Sequence, residues 1–240
     1  MKKLAIPFVI LVAIGVTAVY WLSSNVDRIV KEQIETVGSE LTGVTVTVEQ
    51  VKIHLGEGAG KITGLVVSNP AGYITDHAFK LTELKLNLGL LSLAGANPLI
   101  VEKLVVDSLE ANLELKESTT NLTEISQAIQ NNTKQAEEKT QSNEDGEPVT
   151  LGIQDLLISG VTLTVTDEKK TTSRTLPTIA MQNVGGDAGA SPARVSAIVL
   201  TKLVAEILKG AAVERLKKTV GDKIDDLTNG LLDSLNNALD

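Results

Sequence analysis

Few residues in this chain have the types and spacing that chemistry needs. Gly60-Lys61 resembles the end of a phosphate-binding loop, but Leu55 occupies the place of the first glycine and Ile62 the place of the Ser/Thr. A hairpin turn accounts for it better. His54 and His77 have no partners at metal-ligand spacing, so they are expected at the surface or at strand edges. Asp167-Glu168 and Asp225-Asp226 are acidic pairs of the kind found on solvated faces, with nothing to place them across a cleft for acid–base work. Two histidines supply no arguable Ser-His-Asp set. Asn121-Leu-Thr and Asn131-Asn-Thr are glycosylation sequons, which carry no meaning in most bacteria. The expectation is a protein that is not an enzyme, with no catalytic residues, metal site or cofactor.

Composition narrows the class further. The net charge is −8, the wrong sign for a phosphate-binding surface, and only 2% of residues are aromatic. Base-stacking platforms are therefore scarce, and no nucleic acid partner is expected. Phe8, Tyr20 and Trp21 fall in the first 22 residues, which leaves Tyr73 and Phe79 for the remainder. The core must be built from Leu, Ile, Val and Ala. With no cysteine, disulfides and thiolate metal sites are excluded.

Lys2-Lys3 precede an uncharged run of 19 residues, Leu4 to Leu22. As a helix that run spans about 28 Å, close to a bilayer core of about 30 Å. Tyr20 and Trp21 at its far end suit the membrane interface. The alternative is a cleaved signal peptide, whose apolar region is shorter and is followed by small residues rather than Tyr-Trp-Leu. The favoured reading is an uncleaved anchor over residues 1–24, with everything after residue 25 outside the cytoplasm.

Beyond the anchor, residues 25 to 41 repeat apolar positions at helical spacing, and Gly43 ends the helix. Val44, Val46 and Val48 alternate; the phase then slips at Glu49-Gln50, and Val51, Ile53 and Leu55 continue on the other parity. Such a slip suggests a β-bulge. GEGAG at 56–60 and Asn69-Pro70-Ala71-Gly72 read as turns, and Leu84 to Leu90 as a half-buried strand. Residues 121–129 look helical, and 130–148 form a polar linker or frayed helix. Residues 174–184 are expected to make a shorter strand. The last 48 residues turn helical; beyond Gly210 the apolar positions Val213, Leu216, Val220, Ile224, Leu227, Leu231, Leu235 and Ala238 keep an eleven-residue period. The polar face of that stripe carries four positive and six negative residues, a balance that does not attract anionic lipid. Packing on the protein's own sheet, self-association or docking of a protein partner suits it better.

The chain also writes one β pattern twice. VEKLVVDSLEANL at 101–113 is followed 52 residues later by IQDLLISGVTLTV at 153–165, with matching apolar positions and unrelated residues between them. The units are accordingly taken as 25–120 (helix and sheet), 121–147 (helix and linker), 148–187 (second β unit) and 188–240 (C-terminal helices).

The stretch TGVTVTVEQVKIHLGEGAGKITGLVVSNPAGY, then HAFKLTELKLNLGLLSLAGANPLIVEKLVVDSLEANLEL, with NLTEI and LLISGVTLTV after it, resembles the AsmA family of bacterial envelope proteins. The likeness runs over about residues 1–180, although this chain is shorter than the best-known members and ends in long helices. The resemblance implies a β-groove fold; together with the anchor and the terminal stripes, the expected fold class is α+β: a transmembrane helix, a curved and mostly antiparallel sheet, and C-terminal amphipathic helices. It also implies a single-pass protein of the bacterial inner membrane, held by residues 4–22, whose periplasmic domain binds or organises phospholipid. The candidate lipid-facing residues are Leu84, Leu86, Leu88, Val101, Val105, Leu109, Leu113, Ile153, Leu157, Val161, Leu163 and Val165. Two readings of the strands stay open, a lipid groove and a solid β core, because alternating Leu/Val serves both. The second makes the protein a structural or interaction module that acts through its C-terminal helix.

Overall fold

The computed structural model describes residues 25–89, 92, 97–116, 119–141, 149–167 and 170–211. The anchor with Tyr20 and Trp21 and the C-terminal stripe from residue 212 onward lie outside the described residues. Among the described residues no helix is long and apolar enough to cross a membrane.

The fold is α+β, with three helices and one mostly antiparallel sheet among the described residues. Helix α1 covers residues 25–42. Strands β1 (Val46–His54), β2 (Ala59–Ser68), β3 (His77–Leu88) and β4 (Leu99–Lys116) form an antiparallel meander. A two-residue strand β5 (Thr119–Thr120) leads into helix α2 (Asn121–Gln141). Strands β6 (Leu151–Ser159), β7 (Thr162–Asp167), β8 (Lys170–Thr175) and β9 (Ile179–Val184) follow, and helix α3 (Pro192–Ala211) comes last. Helix α2 therefore includes much of the polar stretch after residue 129, which is helical as far as Gln141.

Side-chain caps start helices α2 and α3. The Thr120 hydroxyl accepts the Thr123 amide at 3.1 Å, an N-cap for α2. Ser191 does the same for Arg194 at 3.2 Å, with Pro192 as the first residue of α3. At the other end of the sheet α1 lies along the outer edge of β1. Asp27, Glu35 and Ser39 accept the amides of Ile53, Val48 and Val46 at 2.8–2.9 Å. Those are edge amides that would otherwise invite another chain.

The two copies of the repeat lie side by side. β4 pairs in parallel with β6 and then with β7, and every partner is 52 residues away: Val101 with Ile153, Val106 with Ile158, Ala111 with Leu163, Leu113 with Val165. The repeat is thus one long strand laid against its own copy, with α2 as the crossover. It is not a pair of hairpins closing on each other, and the sheet keeps two ends, β1 and the β8/β9 side.

A crease, where side-chain parity reverses, crosses β1 to β4 and continues between β6 and β7 and between β8 and β9. Pairing skips Glu49, Gly64, Thr82, Ser108 and Gly160, which face one another in sequence across the sheet. β8 and β9 keep a single register against β7 and β6, so they act as one strand broken at Pro177, opposite Gly160. Gly64, Ser108 and Gly160 all have φ near +62° (63°, 62° and 62°). These left-handed residues mark the place where side-chain parity reverses in β2, β4 and the β6/β7 junction; Glu49 of β1 and Thr82 of β3 slip without a positive φ, and because neighbouring strands slip at the same place the register survives. The phase slip at Glu49-Gln50 is therefore real. It is not a one-strand bulge, because β2 slips with β1 at Gly64 and the pairing on either side stays in step. A Cβ at Gly64 would lie 2.6 Å from Glu49 Cβ, so the crease requires glycine there.

Candidate functional site

The crease keeps one face of the sheet apolar along its whole length. Above it the rows Val48–Leu65–Leu81–Leu109 and Val46–Val67–Phe79–Ala111–Leu163 run strand to strand, and Val161 joins the same buried cluster between β6 and β7. Below it run Val51–Ile62–Leu84–Val106–Ile158–Ile179 and then Ile53–Gly60–Leu86–Leu104–Leu156–Met181. A second slip follows, where the register of β3 on β4 shifts between Asn87 and Leu88, and the last row is Leu88–Val101–Ile153–Val184. In each copy of the repeat the inward residues are consequently spaced 3, 2, 3, 2, 2: 101, 104, 106, 109, 111, 113 and 153, 156, 158, 161, 163, 165.

The two halves of this face differ in their cover. In the upper half Ala111, Leu113, Val161 and Leu163 are 0% exposed, packed in one cluster with Leu122, Ile125 and Ile129 of α2 and Val204, Ile207 and Leu208 of α3. In the lower half Ile53, Leu84, Leu86, Leu88, Leu104 and Met181 are only half-buried. They form a floor flanked by α1, whose Val30 and Ile34 rest on Val51 and Ile62, and by α3, whose Val195 touches the end of β9 at Gly185.

The residues expected to face lipid are divided by this geometry. Leu84, Leu86 and Leu88 lie on the half-buried floor, with Val101 and Ile153 buried at its end. Leu109, Leu113, Val161 and Leu163 are sealed beneath the helices, and Val165 is half-buried beside them. Val105 and Leu157 point to the opposite face, in the row Lys85–Val105–Leu157–Ala180. Strict period-2 counting places them inward. The slips at 102–103 and at Ser108 instead bring in Leu104, Val106, Leu156 and Ile158, together with Met181 from β9. The signal that finds them is present in both copies: an apolar spacing of 3 where a strand should show 2.

Polar residues concentrate away from this floor. Glu114, 3% exposed, accepts the amides of Ile74 and Thr75 at 2.7 Å each, the Asn69 amide at 3.1 Å and the Thr75 hydroxyl. Asn121 closes the set, donating to Asn69 Oδ1 and the Asn112 carbonyl and accepting from the Glu114 amide. This network fixes the Asn69-Pro70-Ala71-Gly72-Tyr73 turn and leaves the carboxylate no side open to a substrate. Tyr73 donates to Glu124 at 2.7 Å; burial first, and the Glu124 carboxylate next, push its phenol pKa above the ordinary value. On the outer face Lys61 and Lys85 hold the Glu83 carboxyl below the usual range.

A cleft of about 440 Å³ separates α3 from the broken strand, between Leu176–Ala180 and Lys202, Glu206 and Lys209. Burial raises the Glu206 pKa, but the hydrogen bonds and charges of Lys209 and Lys202 outweigh it and leave the carboxyl below the usual range. His54 is exposed at the end of β1, and His77 Nε2 is buried without a hydrogen-bond partner, 3.9 Å from Glu110. Among the described residues no three His, Cys, Asp or Glu side chains gather to hold a metal.

The class defined here is an α+β domain whose creased sheet is sealed by helices on one half and partly uncovered on the other. No family model and no curated protein matches the chain.

Proposed function

We propose that this is a non-enzymatic envelope protein of AsmA-like type, held in the bacterial inner membrane by residues 4–22, whose periplasmic domain binds phospholipid acyl chains on the lower half of the sheet. The observation that carries this reading is the half-buried apolar floor of Leu84, Leu86, Leu88, Leu104 and Met181. It is walled by two helices and carries no charged side chain among those residues, a surface suited to hydrocarbon.

The test uses the full-length chain in bacterial cells, with the photoreactive residue benzoylphenylalanine at Leu86 or Leu104. Phospholipid adducts read by mass spectrometry are expected at both positions and not at Val105 or Leu157. Equal labelling of the two faces, or none at Leu86 and Leu104, sinks the proposal.

The sealed upper half favours a second reading, a structural module whose apolar face is simply core. It predicts no lipid adduct anywhere on the sheet. It also predicts concentration-dependent association in analytical ultracentrifugation that Leu227→Asp abolishes.

A further inference from the structure

The second slip, below Leu104, also shapes the face of the sheet turned away from the floor. Pairing skips Glu102, Gln154 and Asn183, which stand side by side on β4, β6 and β9. Their neighbours Val101 and Ile153 belong to the buried core on the other side. All three are exposed, and all three border one cleft of about 530 Å³, within the size range of small-molecule sites. Its base is Ile100 and the bare backbone of Gly152, which pair with each other in the next row.

Glycine keeps the cleft open. A Cβ at Gly152 would stand 3.0 Å from Ile100 Cδ1, inside the base, and one at Gly186 would meet nothing within 4 Å. At the end of β3 a Cβ on Gly89 would stand 3.4 Å from Glu102 Oε1, so glycine lets that carboxylate lie back against its wall. The turn after β9 builds the opposite wall. The Gly186 amide donates to the Asn183 carbonyl at 3.1 Å, and the Asn183 side chain donates to Asp187 Oδ1 at 3.3 Å. Among the described residues the Glu102 and Gln154 side chains make no hydrogen bond or ion pair.

The cleft is therefore bordered by two carboxylates, Glu102 and Asp187, with no cationic and no aromatic side chain among its lining residues. The two belong to β4 and to the end of β9, which are two strand spacings, about 10 Å, apart. One metal ion or one ammonium cannot reach both walls across that distance. A linear molecule with an amine at each end can. Each ammonium would donate to one carboxylate, the methylenes would cross Ile100 and Gly152, and the Gln154 carbonyl would accept a remaining N–H.

We propose that this cleft binds a linear aliphatic diamine or longer polyamine, held between Glu102 and Asp187. It lies on the face opposite the lipid floor and does not rest on the lipid reading.

The test titrates the full-length protein, in a non-ionic detergent at about 0.15 M salt, with 1,4-diaminobutane and 1,5-diaminopentane in a calorimeter. 1-Aminobutane and 1,4-butanediol are run beside them. Saturable one-to-one binding of the diamines is expected, with the monoamine weaker by about fivefold or more and the diol silent. Glu102→Gln and Asp187→Asn should each bring the diamine down to the level of the monoamine. Asp155→Asn, exposed on the same face but outside the cleft, should leave the diamine affinity as it was. Equal binding of diamine and monoamine, a loss from Asp155→Asn as large as that from Glu102→Gln, or no saturation by millimolar diamine overturns the proposal.

Discussion

The upper and lower halves of the sheet are written with the same residues and end in different states. Leu163 and Leu86 are both inward-facing strand leucines, yet one is 0% exposed and the other half-buried. The difference lies in what arrives over them. α2 is the crossover between the repeat copies, so it must return across the upper half, and the Glu40–Leu41 end of α1 meets it there through Asn132. A duplicated strand therefore yields a core where α2 and α3 pack on it and a half-buried apolar floor elsewhere.

The sharpest way to break this contrast is to truncate one leucine from each half. Leu163→Ala is expected to cost about 3 kcal/mol in urea unfolding, since the cavity stays walled by helices, and Leu86→Ala about 1 kcal/mol. Equal costs would mean that the halves are covered alike.

The polar lock of the upper half comes next. Ile74 donates to one Glu114 oxygen and Thr75 to the other, so Glu114→Gln sets an amide NH2 against one of these backbone amides in either orientation, and is expected to cost about 2 kcal/mol and speed proteolysis in residues 69–76. Little change would show that the turn is held by other contacts.

At the boundary, Ser108→Gly should stabilise by about 0.5–1 kcal/mol by relieving a φ of +62°. Gly160→Ala should destabilise by about 1–2 kcal/mol, because its φ is the same and its Cβ would approach the Ser108 amide nitrogen at 3.3 Å. If both changes are neutral, the crease is not what aligns the halves.

The smallest effect concerns the rim of the lower half. The folded-state pKa of Glu206 is depressed, so its ion pairs with Lys202 (3.3 Å) and Lys209 (3.0 Å) add stability above the ordinary carboxylate range and lose it as pH falls through the folded value. Glu206→Gln should therefore lower the melting temperature slightly at neutral pH and lose that difference at acid pH. A deficit that persists in acid would point to packing instead.

Much of this was legible beforehand, and the parts that were not share a cause. Alternation located β1 to β4, and Val44–Leu55 displayed its phase slip openly because valines stand on both sides of it. In the repeat, Leu104-Val105-Val106 and Leu156-Leu157-Ile158 are continuous apolar runs, so periodicity had nothing polar to mark the outward residue. Choosing Val105 and Leu157 followed from counting by two through a slip. Residues 174–184, expected as one strand, are β8 and β9 on a shared register, divided where Pro177 has no amide to donate.

The sequence by itself determined most of the elements, the scarcity of aromatic residues and absence of cysteine chemistry, and a 52-residue repeat whose apolar positions must share an environment. Those are consequences of local stereochemistry and of composition. Only the tertiary structure decided that the copies pair in parallel, that the parity slips of β1 to β4 and of the β6/β7 junction fall on one line, and that half of the apolar face is sealed. Each of these depends on which residues from distant parts of the chain stand opposite one another, and hydrophobic burial rewards any such arrangement equally until backbone pairing selects one.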